Sequence, residues 1–292
     1  MDGEAERRGY LLGFLGVALF SLTPPATRIA VVDLDPVFVA AGRCVLAALL
    51  SAVYLRLARS ARPARGEWLP FAIVSAGVVF GFPLLTSLAM RSVDASHGAV
   101  VIAVLPLATA AAGALRAGER PSAAFWAAGA TGSAAVLAFV LLRGAGGLAA
   151  ADLLLLGAVL AGGLGYAEGG KLARTRGGLE VIAWALLLSL PLTLPVALWF
   201  AQDNAAAPSP SAWAGFLYVA VASQFLGFWF WNRGLALGGI ARVGQLQLLQ
   251  VFMTLIAAAA IAGERPDAMT LGFALLVVGI VALGRRAPVR RA

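Results

Sequence analysis

Ala117-Gly118-Glu119-Arg120-Pro121 recurs unchanged as Ala262-Gly263-Glu264-Arg265-Pro266, 145 positions later, and each copy follows a long apolar run. At that offset Thr109 to Pro121 aligns with Thr254 to Pro266, with eight of thirteen positions identical. The pentapeptide reads as a span terminator. Its glycine can take the left-handed conformation that ends a helix, its charges favour an interface, and its proline suits the first turn of a new helix. Glu119 and Glu264 are accordingly read as turn residues and not as a chemical site. Five apolar runs separate the copies, an odd number. If these runs cross a membrane, the copies lie on opposite faces, as in a unit duplicated with inverted topology.

Composition identifies the solvent. The chain has 292 residues, 61% of them hydrophobic and 12% charged, with a mean hydropathy of +0.90; soluble domains carry about 25% charged residues. Ten runs reach the roughly 17 to 25 residues that cross a bilayer: 10–32, 36–57, 68–90, 96–115, 122–142, 152–172, 180–201, 213–235, 240–262 and 267–284. A soluble helical protein would need amphipathic stripes with polar outer faces, and Leu271 to Gly284 offers none. The expected fold is an all-α integral membrane protein of ten transmembrane helices in two inverted five-helix halves, 1–146 and 147–292. The amino-terminal apolar run is too long for a signal peptide and contains Pro24 and Pro25, so it is read as the first span. Cys44, the single cysteine, lies inside a run and reads as small core filler.

The charges report topology. Of 22 basic residues, seventeen flank alternate runs: Arg7, Arg8, Arg56, Arg59, Arg62, Arg65, Arg116, Arg120, Lys171, Arg174, Arg176, Arg233, Arg242, Arg285, Arg286, Arg290 and Arg291. The other side holds only Arg91, Arg143 and Arg265, while Arg28 and Arg43 fall within runs. The positive-inside rule then puts both termini in the cytoplasm of a multi-pass inner (plasma) membrane protein and the two pentapeptides on opposite faces. The net charge of +8 forms no basic patch on a folded face, so nucleic acid is not an expected partner. The expected partners are the lipid bilayer and a small-molecule substrate, and the chain is expected to act as a monomer.

These same residues carry a resemblance. The chain resembles an EamA-type carrier of the drug/metabolite transporter superfamily, which has ten spans in two inverted halves, each with a G-E-R-like turn and a Gly-rich last span. The matching positions are Ala95 to Pro106, Gly118 to Pro121 and Gly129 to Gly132, with Pro36 to Leu50 resembling the second span. Arg28 sits where first spans often carry a basic residue, and Val251 stands where Pro106 stands in the first half. Within the superfamily the chain is most similar to the YddG-type exporters of aromatic amino acids. The resemblance implies a substrate cavity between the halves, opening to each side in turn.

Polar residues near mid-membrane are expensive unless they face protein or water. They mark candidate substrate contacts: Ser21 and Thr23 in the first run, Tyr166 in the sixth, Ser223 and Gln224 in the eighth, and Gln250 in the ninth. Gln245, Gln247 and Gln250 form the densest polar cluster, and glutamine suits zwitterions because it both donates and accepts. Helix-to-helix hydrogen bonding is the competing reading for that cluster. Phe82 and Trp229 stand for the aromatics of the third and eighth runs, although a tryptophan near a span end is commonly interfacial. His97, the sole histidine, lies at a span end and could titrate near neutral pH; an interfacial role is preferred. Glu168 is expected to pair with Lys171 or Arg174. Arg43 either snorkels outward as a structural group or attracts a substrate carboxylate, with the structural role preferred. Pro24, Pro25, Pro83 and Pro106 are candidate hinges, and the substrate is expected between spans three, four, eight and nine.

Enzymatic chemistry has little to work with. There is no HExxH, no GxSxG, no P-loop and no paired aspartates in a span. No cofactor, metal site or catalytic residue is expected, and a membrane-embedded lipid-modifying enzyme ranks well below a carrier. No buried carboxylate pair or acid–histidine relay is visible, so facilitated diffusion or exchange of small neutral or zwitterionic metabolites, amino acids foremost, is the expected activity. Efflux of drugs or amphiphiles is the alternative.

Overall fold

Helix boundaries fall where the sequence punctuates them. Asp35 accepts from the amides of Val37 and Phe38, capping the helix that opens with Pro36. Gly118 and Gly263 close their helices at φ 69° and 66°, and at the second copy the Glu264 amide reaches back to the Ala258 carbonyl. The computed structural model describes residues 3–143, 149–204, 206–284 and 289–291. In it, span 1 is Gly3–Ser21 continued by Thr23–Ala30, and span 2 is Pro36–Leu57. Span 3 runs through Trp68–Val74, Ser75–Gly81 and Phe82–Ala89, and span 4 joins Ala95–Ile102 to Leu105–Ala117. Span 5 is Ala123–Arg143, span 6 Ala150–Arg176 and span 7 Gly178–Phe200. Span 8 comprises Pro210–Leu217, Tyr218–Gly227 and Phe228–Gly238, span 9 Ile240–Gly244 and Gln247–Ile261, and span 10 Ala268–Gly284. Eight of these are long and apolar enough to cross a membrane by themselves; spans 5 and 10 complete the ten. Antiparallel pairing of Glu119–Pro121 with Val289–Arg291 is the one β pairing among the described residues.

The loops sort into two rims. On one, Arg176 pairs with Glu67 at 2.7 Å and Glu180 at 2.8 Å, Ser60 donates to Glu180, and Arg242 meets Glu6 at 3.4 Å. The pairing of 119–121 with 289–291 puts the end of the chain there too. On the other rim, Asp35 donates its amide to Asn204, Arg28 donates to the Met90 carbonyl, and His97 lies 2.7 Å from Asp152. Ser209 donates both amide and hydroxyl to Asp33, which holds that carboxyl below its usual range. We call these the terminal and the opposite face.

The two pentapeptides do more than end helices. Glu119, 3% exposed, accepts from the amides of Ile240 and Ala241 at 3.1 and 2.9 Å, the first turn of span 9. Glu264 accepts from the amides of Ala95 and Ser96 at 2.8 and 2.9 Å, and from the Ser96 hydroxyl, in the first turn of span 4. Residues 240 and 241 lie 145 positions beyond 95 and 96. Each carboxylate therefore caps the matching helix of the other half, where orphan amides and the positive helix end favour an anion. The reading of these glutamates as turn residues alone is too narrow.

The halves interlock. Span 1 packs on span 8 so closely that a Cβ on Gly9 would stand 2.6 Å from the Gly238 amide nitrogen, and one on Gly234 would stand 2.6 Å from that of Gly13. Span 2 lies along span 7, span 4 along span 6, and span 5 along span 10. Of the expected charge partners of Glu168, Lys171 lies 3.7 Å away and Arg174 turns instead to Glu119, while Arg116, which the sequence did not single out for it, pairs with Glu168 at 2.8 Å. Trp231 departs from the interfacial expectation: it is 0% exposed, packed edge-on against Phe20 and Tyr166.

Candidate functional site

Broken and widened helices surround the site, and proline explains much of it. Pro83 brings no N–H, so the carbonyls of Val78 and Val79, its partners at five and four residues back, lose that donor. Span 3 is π-helical over Ser75–Gly81, and the Phe82 amide bonds to Gly77. Two other spans supply the missing donors: Gln224 Nε2 donates to Val78 O at 3.0 Å and Cys44 Sγ to Val79 O at 3.2 Å. In the other half Tyr218–Gly227 is also π-helical, at the matching place 145 residues on. Such widenings recur at functional sites. Pro24 and Pro25 follow the break at Leu22, and the Ser21 carbonyl, which Pro25 cannot serve, accepts from the Thr254 hydroxyl at 2.8 Å. Span 4 breaks just before Pro106. Span 9 breaks without a proline at Gln245 and Leu246, where the chain tightens through bonds to the third residue back. The four prolines chosen as hinges thus all lie at irregular points of the spans.

Those irregular points enclose a cavity near the middle of spans 6, 8 and 9. It is small, with a volume of about 20 Å³. An ordered water fits this conformation; a ligand needs the walls to part. Phe20, Thr23, Pro24 and Thr27 come from span 1, Arg43 from span 2, and Phe82, Thr86 and Met90 from span 3 and its end. Ile102 comes from span 4, Tyr166 from span 6, Ser223, Gln224 and Phe228 from span 8, and Gln250 from span 9. Spans 1, 2 and 6 thus join the four spans expected from the sequence.

Its chemistry is one cation among neutral groups. Arg43 is 2% exposed and does not snorkel: Nη2 donates to Ser223 Oγ at 3.0 Å, while Nε and Nη1 have no partner. Ser223 Oγ also accepts from Thr23 at 2.8 Å. Gln224 Oε1 and Thr27 Oγ1 are likewise buried and unpaired. The apolar wall is aromatic: Phe20 stacks on Tyr166 at 6.1 Å and meets Phe228 edge-on at 5.0 Å, with Trp231 behind.

Of the residues singled out from sequence, Thr23, Phe82, Tyr166, Ser223, Gln224 and Gln250 come together here. Gln247 lines a neighbouring cavity of about 10 Å³ that shares Pro24, Ile102 and Gln250 with the first. Gln245 is buried beside neither, and both its amide atoms lack partners. Ser21 donates to Ala18 O within its own helix. Trp229 is 38% exposed and stacks on Phe230. His97 sits on the opposite rim with Asp152 and against Phe139, away from the cavity. Sequence reasoning left out Thr27 and Phe20, counted Phe228 only among the aromatics of the eighth run, and set Arg43 aside. The signal was present in that an arginine inside an apolar run had no carboxylate at helical spacing to pair with.

Sequence comparison gives the same architecture. The profile of the EamA-like transporter family matches residues 7–141 and again 149–284. A Bacillus subtilis (strain 168) protein named "Uncharacterized transporter YdeK" is 45% identical over 283 residues, covering 97% of each chain. A solved structure described as "Crystal structure of protein" superposes with a TM-score of 0.69 at 20% identity, over 94% of this chain and 97% of the other.

Proposed function

Since this chain belongs to the EamA-like transporter family, we propose that it is a secondary carrier exporting small neutral or zwitterionic metabolites, amino acids with aromatic side chains foremost. Transport is by alternating access, as facilitated diffusion or exchange, across the inner (plasma) membrane, with the terminal face cytoplasmic. One observation carries this reading: the cavity between the halves combines an aromatic wall with one guanidinium and unpaired neutral acceptors. A zwitterion finds there a cation for its carboxylate, amide and hydroxyl oxygens for its ammonium, and aromatic faces for its side chain. The excess of basic residues on the terminal face supports the orientation.

The test is counterflow in liposomes. Vesicles preloaded with phenylalanine should accumulate labelled phenylalanine, and Gln250→Ala should slow it several-fold. Exchange of a lipophilic drug with no exchange of any amino acid would replace this reading with the efflux alternative. A reporter fused after Ala292 should register as cytoplasmic; an external signal reverses the orientation.

A further inference from the structure

We propose that Arg43 anchors a carboxylate of the carried molecule, so that the substrates are monocarboxylates, zwitterionic amino acids among them, while the corresponding amides and amines are excluded. The inference rests on the cavity being the transport site and narrows what that site selects.

A guanidinium in a bilayer-spanning segment is costly, and such groups persist where they meet a partner, a cavity or a substrate. Arg43 has no carboxylate partner among the described residues. Its only hydrogen bond is to Ser223, which leaves four of its five N–H groups free within a buried wall of the cavity. Every other ion pair described lies on a rim or, like Glu168 with Arg116 and Lys171, near one end of the spans. Ser223 sharpens the site. Its oxygen accepts from both Thr23 and Arg43, which leaves its own proton for a further acceptor. An arginine and a hydroxyl offered together to an unfilled space suit an oxyanion. The charge limits which one: Arg43 is the sole charged residue of the lining, enough for one carboxylate, whereas a phosphate dianion calls for a second cation. Thr27 Oγ1 and Gln224 Oε1, buried and unpaired in residues of the same lining, are the groups left to recognise what is attached to that carboxylate.

The purified full-length chain is tested by thermal shift with four probes that share one aromatic body: phenylalanine, 3-phenylpropanoate, phenylalaninamide and 2-phenylethylamine. The two carboxylates should stabilise it, with half-saturating concentrations at least about tenfold below those of the amide and the amine, the worth of a charge-assisted hydrogen bond. Arg43→Gln should weaken the carboxylates about 10- to 100-fold, and Arg43→Lys should restore part of the loss. If Arg43→Gln does not fold, Ser223→Ala and the wild-type series decide the matter. An amide or amine that protects as well as its carboxylate overturns the anchor, as does failure of both carboxylates to protect. Protection by 3-phenylpropanoate without protection by phenylalanine leaves the anchor standing and removes the amino-acid reading. Equal exchange of phenylalanine and its amide in liposomes does the reverse.

Discussion

Pro83 is answered by residues on two other spans, and the answer ties the site's chemistry to its fold. Without an N–H at 83, the carbonyls of Val78 and Val79 depend on Gln224 and Cys44. Gln224 is therefore held by one end of its amide while the other faces the cavity. Gln224→Leu should destabilise the protein by about 1 to 3 kcal/mol, the usual consequence of orphaning a buried carbonyl. Pro83→Ala, by restoring a backbone donor, should reduce that loss, so the two substitutions should be non-additive in a double-mutant cycle of thermal unfolding. Additive effects would disconnect the proline from the glutamine. The residue scale also shows where sequence reading stopped. Gln224, Ser223 and Tyr166 were legible because polar groups in apolar runs need partners. Arg43 was discounted because its distance from the span end allowed snorkelling, and only packing reveals that its side chain turns inward to Ser223. Gln245 and Gln247 share the composition of Gln250 but do not line the central cavity with it, since which side of a broken helix meets that void depends on where the break falls.

Helix ends are the next scale, and the repeated Gly-Glu-Arg turn acts there as a pair of clasps between the halves. Glu119 holds the start of span 9 at the terminal face, and Glu264 holds the start of span 4 at the opposite face. On the alternating-access reading proposed above, opening the cavity to one side requires the clasp on that side to loosen, so each should bias accessibility in its own direction. With Cys44→Ser as background and a cysteine at Ile102 in the cavity wall, Glu119→Gln should speed labelling by an impermeant maleimide applied at the terminal face. Glu264→Gln should speed it from the opposite face. A lost charge-assisted bond is worth about 1.5 to 3 kcal/mol, or roughly tenfold or more in the rate if opening limits labelling. Identical effects of both substitutions from both sides would reduce the clasps to ordinary caps. The sequence disclosed the turns, their spacing and their opposite faces, because glycine, charge and proline act locally. It was silent on what the carboxylates accept from, since Ile240 and Ala95 are brought to them only by tertiary packing. The break in span 9 was hidden for a similar reason: no proline marks it.

At the scale of the whole molecule, the two halves pack extensively against each other. Span 2 packs on 7, span 1 on 8, span 5 on 10, and the sixth span on the third and fourth. The repeat is thus exchanged, each half finishing the packing of its counterpart, and the cavity draws its lining from both. This follows from sequence composition. Span 6 carries Gly162, Gly163, Gly165, Gly169 and Gly170, and small residues drive association in lipid by letting backbones approach. At Gly163 a Cβ would stand 2.7 Å from the Ala108 backbone carbonyl carbon, and at Gly77 one would stand 2.5 Å from the Ala161 oxygen. Gly162, Gly163 and Gly165 are filled contacts between the halves, while Gly169 and Gly170 face Asn232, Leu235 and Ile240 of their own half. The packing between halves sets how the chain should behave when cut. Residues 1–146 and 147–292, produced as two separate chains in one membrane, should assemble into a complex that purifies as one species and binds the same ligands as the intact chain. Either half alone should aggregate or be degraded, because its glycine faces and the guanidinium of Arg43 would meet lipid. The Gly163→Leu substitution should prevent the complex from forming while leaving the amount of each inserted chain unchanged. A half that is stable and monodisperse by itself would show that the packing between halves is not what holds the fold together.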